Sequence, residues 1–159
     1  MELHAAVAGR HPVINDENSH AALQCDVAPV MMVLDHTGIP RIVLVVEDEM
    51  LLRMRAVDMV EDAGYTSVEA VDADEALVIL ETRSDIALLF TDIQMPGSMD
   101  GLELAHAVHA RWPPIKIILV SGQLKLSKSD IPRDSRFFGK PLVSGEMVAE
   151  MRDMIGRDR

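Results

Sequence analysis

Acidic, hydroxyl and amino side chains recur in this sequence at one kind of place, directly after a short apolar run. Glu47-Asp48-Glu49 follow the first such run, Asp92 the third, Ser121-Gly122 the fourth and Gly139-Lys140-Pro141 the fifth. Carboxylates gathered in one pocket repel, and each disfavours ionisation of the others unless a cation neutralises them. Two or three carboxylate oxygens, with water completing the shell, suit Mg2+. No His or Cys falls in the cluster, which argues against zinc. A lysine and a hydroxyl beside such a site can neutralise and hydrogen-bond the equatorial oxygens of a transferring phosphoryl group. A carboxylate can itself be the nucleophile and form an acyl phosphate. Singly, each feature has a plainer explanation. Acids at 47–49 also complement a helix N-terminus, and an Asp, a Ser-Gly pair or a Lys after a strand is ordinary. Four strand ends carrying complementary chemistry is a stronger signal than any one of them.

These side chains converge only if the runs are neighbouring parallel strands, because ligands bind beyond the carboxyl ends of such sheets. The pattern predicts that arrangement. Ile42 to Val46 is continuously apolar, as buried parallel strands are. Leu52, Ala56, Met59, Val60 and Ala63 then form a helical stripe that Gly64 ends. Tyr65 to Ala70 alternates as a strand, and Ala73, Ala76, Leu77 and Leu80 mark a second helix. Ile86 to Phe90 is a third strand ending at Thr91-Asp92. Leu104, Ala105 and Val108 mark a third helix, stopped by Pro113-Pro114. Ile117 to Val120 and Arg136 to Phe138 read as the fourth and fifth strands, and Met147, Met151, Met154 and Ile155 as the last helix. Strands alternating with helices predict an α/β fold, a doubly wound five-stranded parallel sheet with helices on both faces. The polar stretch 123–134, with Pro132 inside it, predicts a fourth helix that is short or irregular.

Composition bounds the rest. The 159 residues allow one domain with little room for a second, and 48% hydrophobic residues suffice for a core. The longest apolar run, Ala28 to Leu34, is far too short to span a membrane. One cysteine, Cys25, forms no intrachain disulfide, which fits a reducing, cytoplasmic setting. The net charge of −11 makes phosphate-neutralising contact with nucleic acid a poor expectation.

Together, Val46-Glu47-Asp48-Glu49, Thr91-Asp92-Ile93-Gln94-Met95-Pro96, Met99-Asp100-Gly101, Val120-Ser121-Gly122 and Lys140-Pro141 resemble the receiver domain of two-component response regulators. The resemblance covers residues 41 to about 156. It implies the flavodoxin-like, CheY-like strand order 2-1-3-4-5 and makes Asp92 the phosphoacceptor, fed by a phosphohistidine on a sensor histidine kinase. It further implies Mg2+ held by Asp48, Asp92 and the backbone carbonyl of Gln94, with Glu47 contributing directly or through water. Lys140 would pair with the phosphoryl oxygens, while Ser121 and Phe137 would form the switch. Gln94 and Gln123 occupy the two variable positions that tune spontaneous dephosphorylation in the family. The chain departs from the pattern at three points. Ser replaces the usual Thr at 121, the loop 96–100 is one residue longer, and the segment 121–140 is shorter and weakly helical. The last departure falls on the family's common signalling face, formed by the fourth helix and fifth strand.

The expected organisation is an N-terminal extension over 1–39, read as a flexible or interaction segment, and a receiver over 40–157. A stand-alone regulator without a DNA-binding output is expected. It would act by binding a partner, by passing the phosphoryl group to a histidine phosphotransfer protein, or as a phosphate sink, with homodimerisation open and no membrane contact. Two alternatives compete. An aspartyl-phosphate hydrolase of the haloacid dehalogenase type would need Asp-x-Asp after the first strand, where this chain has Glu47-Asp48-Glu49-Met50. A receiver-like scaffold would work without phosphorylation. His106 and His109, three apart on the third helix, read as solvated, the eleven methionines mainly as packing, and Trp112 as partly buried beside Pro113.

Overall fold

The computed structural model describes residues 38–123 and 125–156. Residues 1–37 of the expected extension, with Cys25 and the apolar run Ala28 to Leu34, lie outside the described residues. Five strands and four helices follow in the order β1 (Ile42–Val46), α1 (Met50–Asp62), β2 (Thr66–Ala70), α2 (Ala73–Thr82), β3 (Ile86–Asp92), α3 (Gly101–Arg111), β4 (Lys116–Ser121), β5 (Arg136–Gly139) and α4 (Ser144–Gly156). All neighbouring strands pair in parallel, in the order β2-β1-β3-β4-β5.

Strand side chains alternate between faces, so each central strand feeds two cores. Ile42, Leu44 and Val46 of β1 join Leu89, Ile117 and Leu119 in the core under α2 and α3. Val43 and Val45 join Leu88, Phe90, Ile118 and Val120 in the core under α1 and α4. Every residue of β1 is buried, which is why its pattern is continuous rather than alternating. The stripes of α1 and α4 close their face with Ala56, Met59, Val60, Met147, Met151, Met154 and Ile155. Burying one such side chain is worth roughly 1.5–3 kcal/mol, and the strand ends are held by these two cores. Met50 and Met54 depart from the packing expectation: they are 61% and 54% exposed on α1.

Between β4 and β5 the described residues contain turns and no helix. Local bonds compete with helix formation here. The Asp130 carboxylate accepts from the Ser127 amide at 2.8 Å and from its hydroxyl at 2.7 Å. Pro132 has no amide to donate, and Asp134 adopts a left-handed φ of 63°. Leu126, Ile131 and Phe137 pack instead, half-buried, on the core beneath α2 and α3.

Candidate functional site

Asp92 ends β3 opposite Val120, buried at 6% exposure. The chain beyond it is clamped. Ile93 donates its amide to the Val120 carbonyl at 2.9 Å, and Gly101 donates to the Ile93 carbonyl at 2.9 Å. A β-carbon on Gly101 would overlap the Asp92 carbonyl, so only glycine lets α3 start this close to the strand end. Asp100 caps α3 by accepting from the Leu102 and Glu103 amides at 2.9 Å each, and Glu103 returns a bond to the Asp100 amide. In the loop that precedes the cap, the Ser98 hydroxyl donates to Asp74 on α2 at 2.5 Å.

Glu47 stands at the end of β1, its amide donating to the Ala70 carbonyl at 3.2 Å. Its buried carboxylate accepts from the Glu49 amide at 3.1 Å and from the Lys140 ammonium at 3.0 Å. Lys140 also lies 3.4 Å from Asp92 Oδ1. The lysine is aimed by its own backbone, which donates to the Ser121 carbonyl at 2.9 Å, and is followed by a cis peptide to Pro141. Ser121 is buried and accepts from the Gln123 amide at 3.3 Å. Gln94 and Gln123, both exposed and each two residues beyond a strand end, meet: Gln94 Nε2 donates to Gln123 Oε1 at 3.4 Å.

One carboxylate oxygen from each of Glu47, Asp48 and Asp92 lies within 4.8 Å of the others, with Asp48 exposed and the other two buried. Burial pushes the Asp92 carboxyl above its ordinary range, and the charge of Asp48 adds to this against the pull of Lys140. Burial likewise raises Glu47, and Asp92 adds to it, while the Glu49 amide and Lys140 oppose. Burial alone would lower the Lys140 ammonium. Its bonds and charges with Glu47 and Asp92 outweigh that and hold it above its usual value. Three carboxylates facing one ammonium leave excess negative charge, and all the donors are oxygens. The residues fit a hard divalent cation such as Mg2+.

The structure thus brings the side chains of Glu47, Asp48, Asp92 and Lys140 together, while Ser121 joins them through its backbone bond to Lys140, and Gln94 and Gln123 meet each other. Glu49 makes no side-chain cap for α1, so capping does not explain it. Phe137 is half-buried on the α2/α3 core, in the strand that leads to Lys140. His106 is exposed and reaches the Asp130 carbonyl at 2.9 Å, whereas His109 is half-buried. Trp112 is half-buried and stacks under the Arg111 guanidinium at 4.3 Å. Arg53 and a cavity carry no signal in the sequence, and Gly101, though part of the quoted motif, gives no sign there of its contact with Asp92. The cavity, of about 270 Å3, adjoins the Glu47–Lys140 pair and is walled mainly by Leu52, Ala56, Met59, Phe90, Val120 and Leu142.

Comparisons with known proteins agree with this fold. The family model for the response regulator receiver domain matches residues 43–131. The response regulator receiver protein CpdR of Brucella abortus is 33% identical over 116 residues, which cover 71% of this chain and 95% of CpdR. The sensor kinase CckA of the same organism is also 33% identical, over 117 residues, but the chain spans only 12% of that kinase. Among solved structures, the receiver domain of the hybrid histidine kinase CckA superposes with a TM-score of 0.61 at 28% identity, covering 72% of this chain and 98% of that one. A CheY-like receiver domain protein from Methanospirillum hungatei JF-1 gives a TM-score of 0.66 at 24% identity over 74% of this chain and 94% of its own, a likeness of fold.

Proposed function

The chain belongs to the response regulator receiver domain family of two-component systems, and from that premise we propose that Asp92 accepts a phosphoryl group from the phosphohistidine of a sensor histidine kinase in a Mg2+-dependent reaction. One observation carries this reading: a buried Asp92 carboxylate within 4.8 Å of the Glu47 and Asp48 oxygens and 3.4 Å from the Lys140 ammonium. An Asp92 oxygen attacks phosphorus, the P–N bond to the donor imidazole breaks, and the leaving imidazole keeps the electron pair. Bound by Asp48, Asp92 and the Gln94 carbonyl, with Glu47 direct or through water, Mg2+ would supply the charge neutralisation that two anions need in order to meet.

The chain's own residues supply the rest. Lys140, held by Glu47 in the resting state, pairs with the phosphoryl oxygens. Ser121 turns its hydroxyl to them, and Phe137, on the adjoining strand, follows, which alters the partner-binding surface. Gln94 and Gln123 control access of water to the acyl phosphate. The chain turns over only its own phosphoryl group.

Incubation with acetyl phosphate and Mg2+, followed by intact-mass measurement, tests the reading. One phosphoryl group per chain, lost in Asp92→Asn, is expected. Rapid multiple turnover with no adduct would favour the hydrolase alternative, and no adduct with no turnover would favour the scaffold.

A further inference from the structure

α1 starts without the usual side-chain cap. Glu49 holds the N-cap position without bonding a first-turn amide, and the first turn has no acid. Arg53 anchors it from one turn further on. Its Nη1 donates to the Glu47 carbonyl at 2.9 Å, and its Nε donates to Glu69 Oε2 on β2 at 2.9 Å. The Arg53 amide also donates to the Glu49 carbonyl at 2.9 Å. The three-residue turn that carries Glu47 and Asp48 is therefore gripped at its first carbonyl by the side chain and at its last carbonyl by the backbone of one residue. The Arg53 side chain is 15% exposed while Glu69 is 50% exposed, so the guanidinium is the inner, ordered partner.

We propose that Arg53 is a positioning residue, which orients the Glu47–Asp48 peptide so that both carboxylates face Asp92 and can share a divalent cation. The proposal deepens the Mg2+-dependent reading above and rests on it. The group bonded by Nη1 is the carbonyl of the peptide joining Glu47 to Asp48. Rotation of that peptide would swing the Asp48 side chain away from the 4.8 Å cluster. Lysine cannot replace the fork, because one ammonium does not reproduce two fixed, divergent N–H donors.

Two effects of Arg53 on cation binding have opposite signs, which makes the proposal decidable. As a mere positive charge near the pocket it repels a second cation, so removing it would tighten Mg2+ binding. As a positioning residue it supports the ligands, and outer-shell supports cost about tenfold in metal affinity when lost. Glu69 already neutralises the guanidinium, which favours the second effect.

The test is calorimetric titration of Mg2+ into the metal-free full-length chain, with thermal unfolding in chelator as a check on folding. Arg53→Ala is expected to weaken Mg2+ binding about tenfold. Arg53→Lys, which keeps the charge and loses the fork, is expected to weaken it in the same direction with an unfolding midpoint close to the native one. Tighter binding in Arg53→Ala, or native affinity in Arg53→Lys, overturns the proposal; should the alanine variant not fold, the lysine variant decides alone. A native chain that takes up no Mg2+, or binds it equally well as Asp92→Asn, overturns the underlying site reading and this proposal together.

Discussion

Gly101 begins α3 directly against Asp92: the place a β-carbon would take on Gly101 is occupied by the Asp92 backbone carbonyl. The pairing is between backbone and backbone, so no side-chain adjustment can relieve it. The Gly101 amide completes the contact by donating to the Ile93 carbonyl at 2.9 Å.

Gly101→Ala is therefore expected to lose about 2–4 kcal/mol of stability and to displace Asp92. Gly145→Ala in α4, where nothing lies within 4 Å of the added carbon, is the control and is expected to be neutral or stabilising by up to about 1 kcal/mol. Urea unfolding of both variants checks this, and equal stability of the two would contradict the contact.

Lys140 is the one ammonium bonded to two buried carboxylates among the described residues, at 3.0 Å from Glu47 and 3.4 Å from Asp92. Lys140→Met strands both charges, and a loss of about 3 kcal/mol is expected at about pH 8. The loss shrinks toward about pH 4, where both carboxyls, already raised by burial, take up protons. Denaturant unfolding at the two pH values tests this; a pH-independent loss would mean that the lysine acts only through packing.

The raised Asp92 carboxyl has a signed consequence for the metal-free protein. A carboxyl whose value is higher folded than unfolded favours folding when protonated. Its contribution is fullest below the unfolded value and is lost as pH rises through the folded one. Asp92→Asn has no such loss, so in chelator it is expected to melt above the native protein at about pH 8 and to converge with it near pH 4. Adding Mg2+ is expected to reverse the order by stabilising the native chain more than Asp92→Asn. Melting curves followed by circular dichroism report both, and a variant that melts lower at high pH without metal would sink the electrostatic account.

Gln94 and Gln123 meet at 3.4 Å, which makes their effects interdependent. Changing either to alanine is expected to alter the lifetime of the phosphoryl group more than the rate of its acquisition. The double variant should differ from the sum of the singles, as contacting residues do. Decay followed after removal of the donor tests this. Unchanged lifetimes in both single variants would remove the two glutamines from the mechanism.

Much of this is legible in the sequence, and the reason is periodicity. The five-residue run of β1 and the Met147/Met151/Met154/Ile155 stripe of α4 are buried where their spacing puts them. The strand-end rule then brings Asp92, Glu47 and Lys140 together without further information. What the sequence hid is contact between distant residues. Arg53 and Glu69 lie sixteen residues apart and meet only because β2 pairs beside β1. Gly101 looks like an ordinary turn glycine until the Asp92 carbonyl is placed against it. Met50 and Met54 misled in the other direction, since a methionine in a helix carries no mark of whether its face is inward. The lack of a helix among the described residues between β4 and β5 was half visible: Pro132 and the Ser127–Asp130 bonding explain it, but only the structure shows Leu126 and Ile131 covering the core there.

The central claim is that Asp92 itself carries the phosphoryl group. Borohydride reduces an acyl phosphate to an alcohol and leaves phosphate esters intact, so it converts a phosphorylated aspartate to homoserine. The native chain, treated with acetyl phosphate and Mg2+, reduced, digested and sequenced by mass spectrometry, should carry homoserine at position 92 alone, and none when Mg2+ is chelated. Homoserine at another aspartate, or at 92 without a divalent cation, would contradict the account.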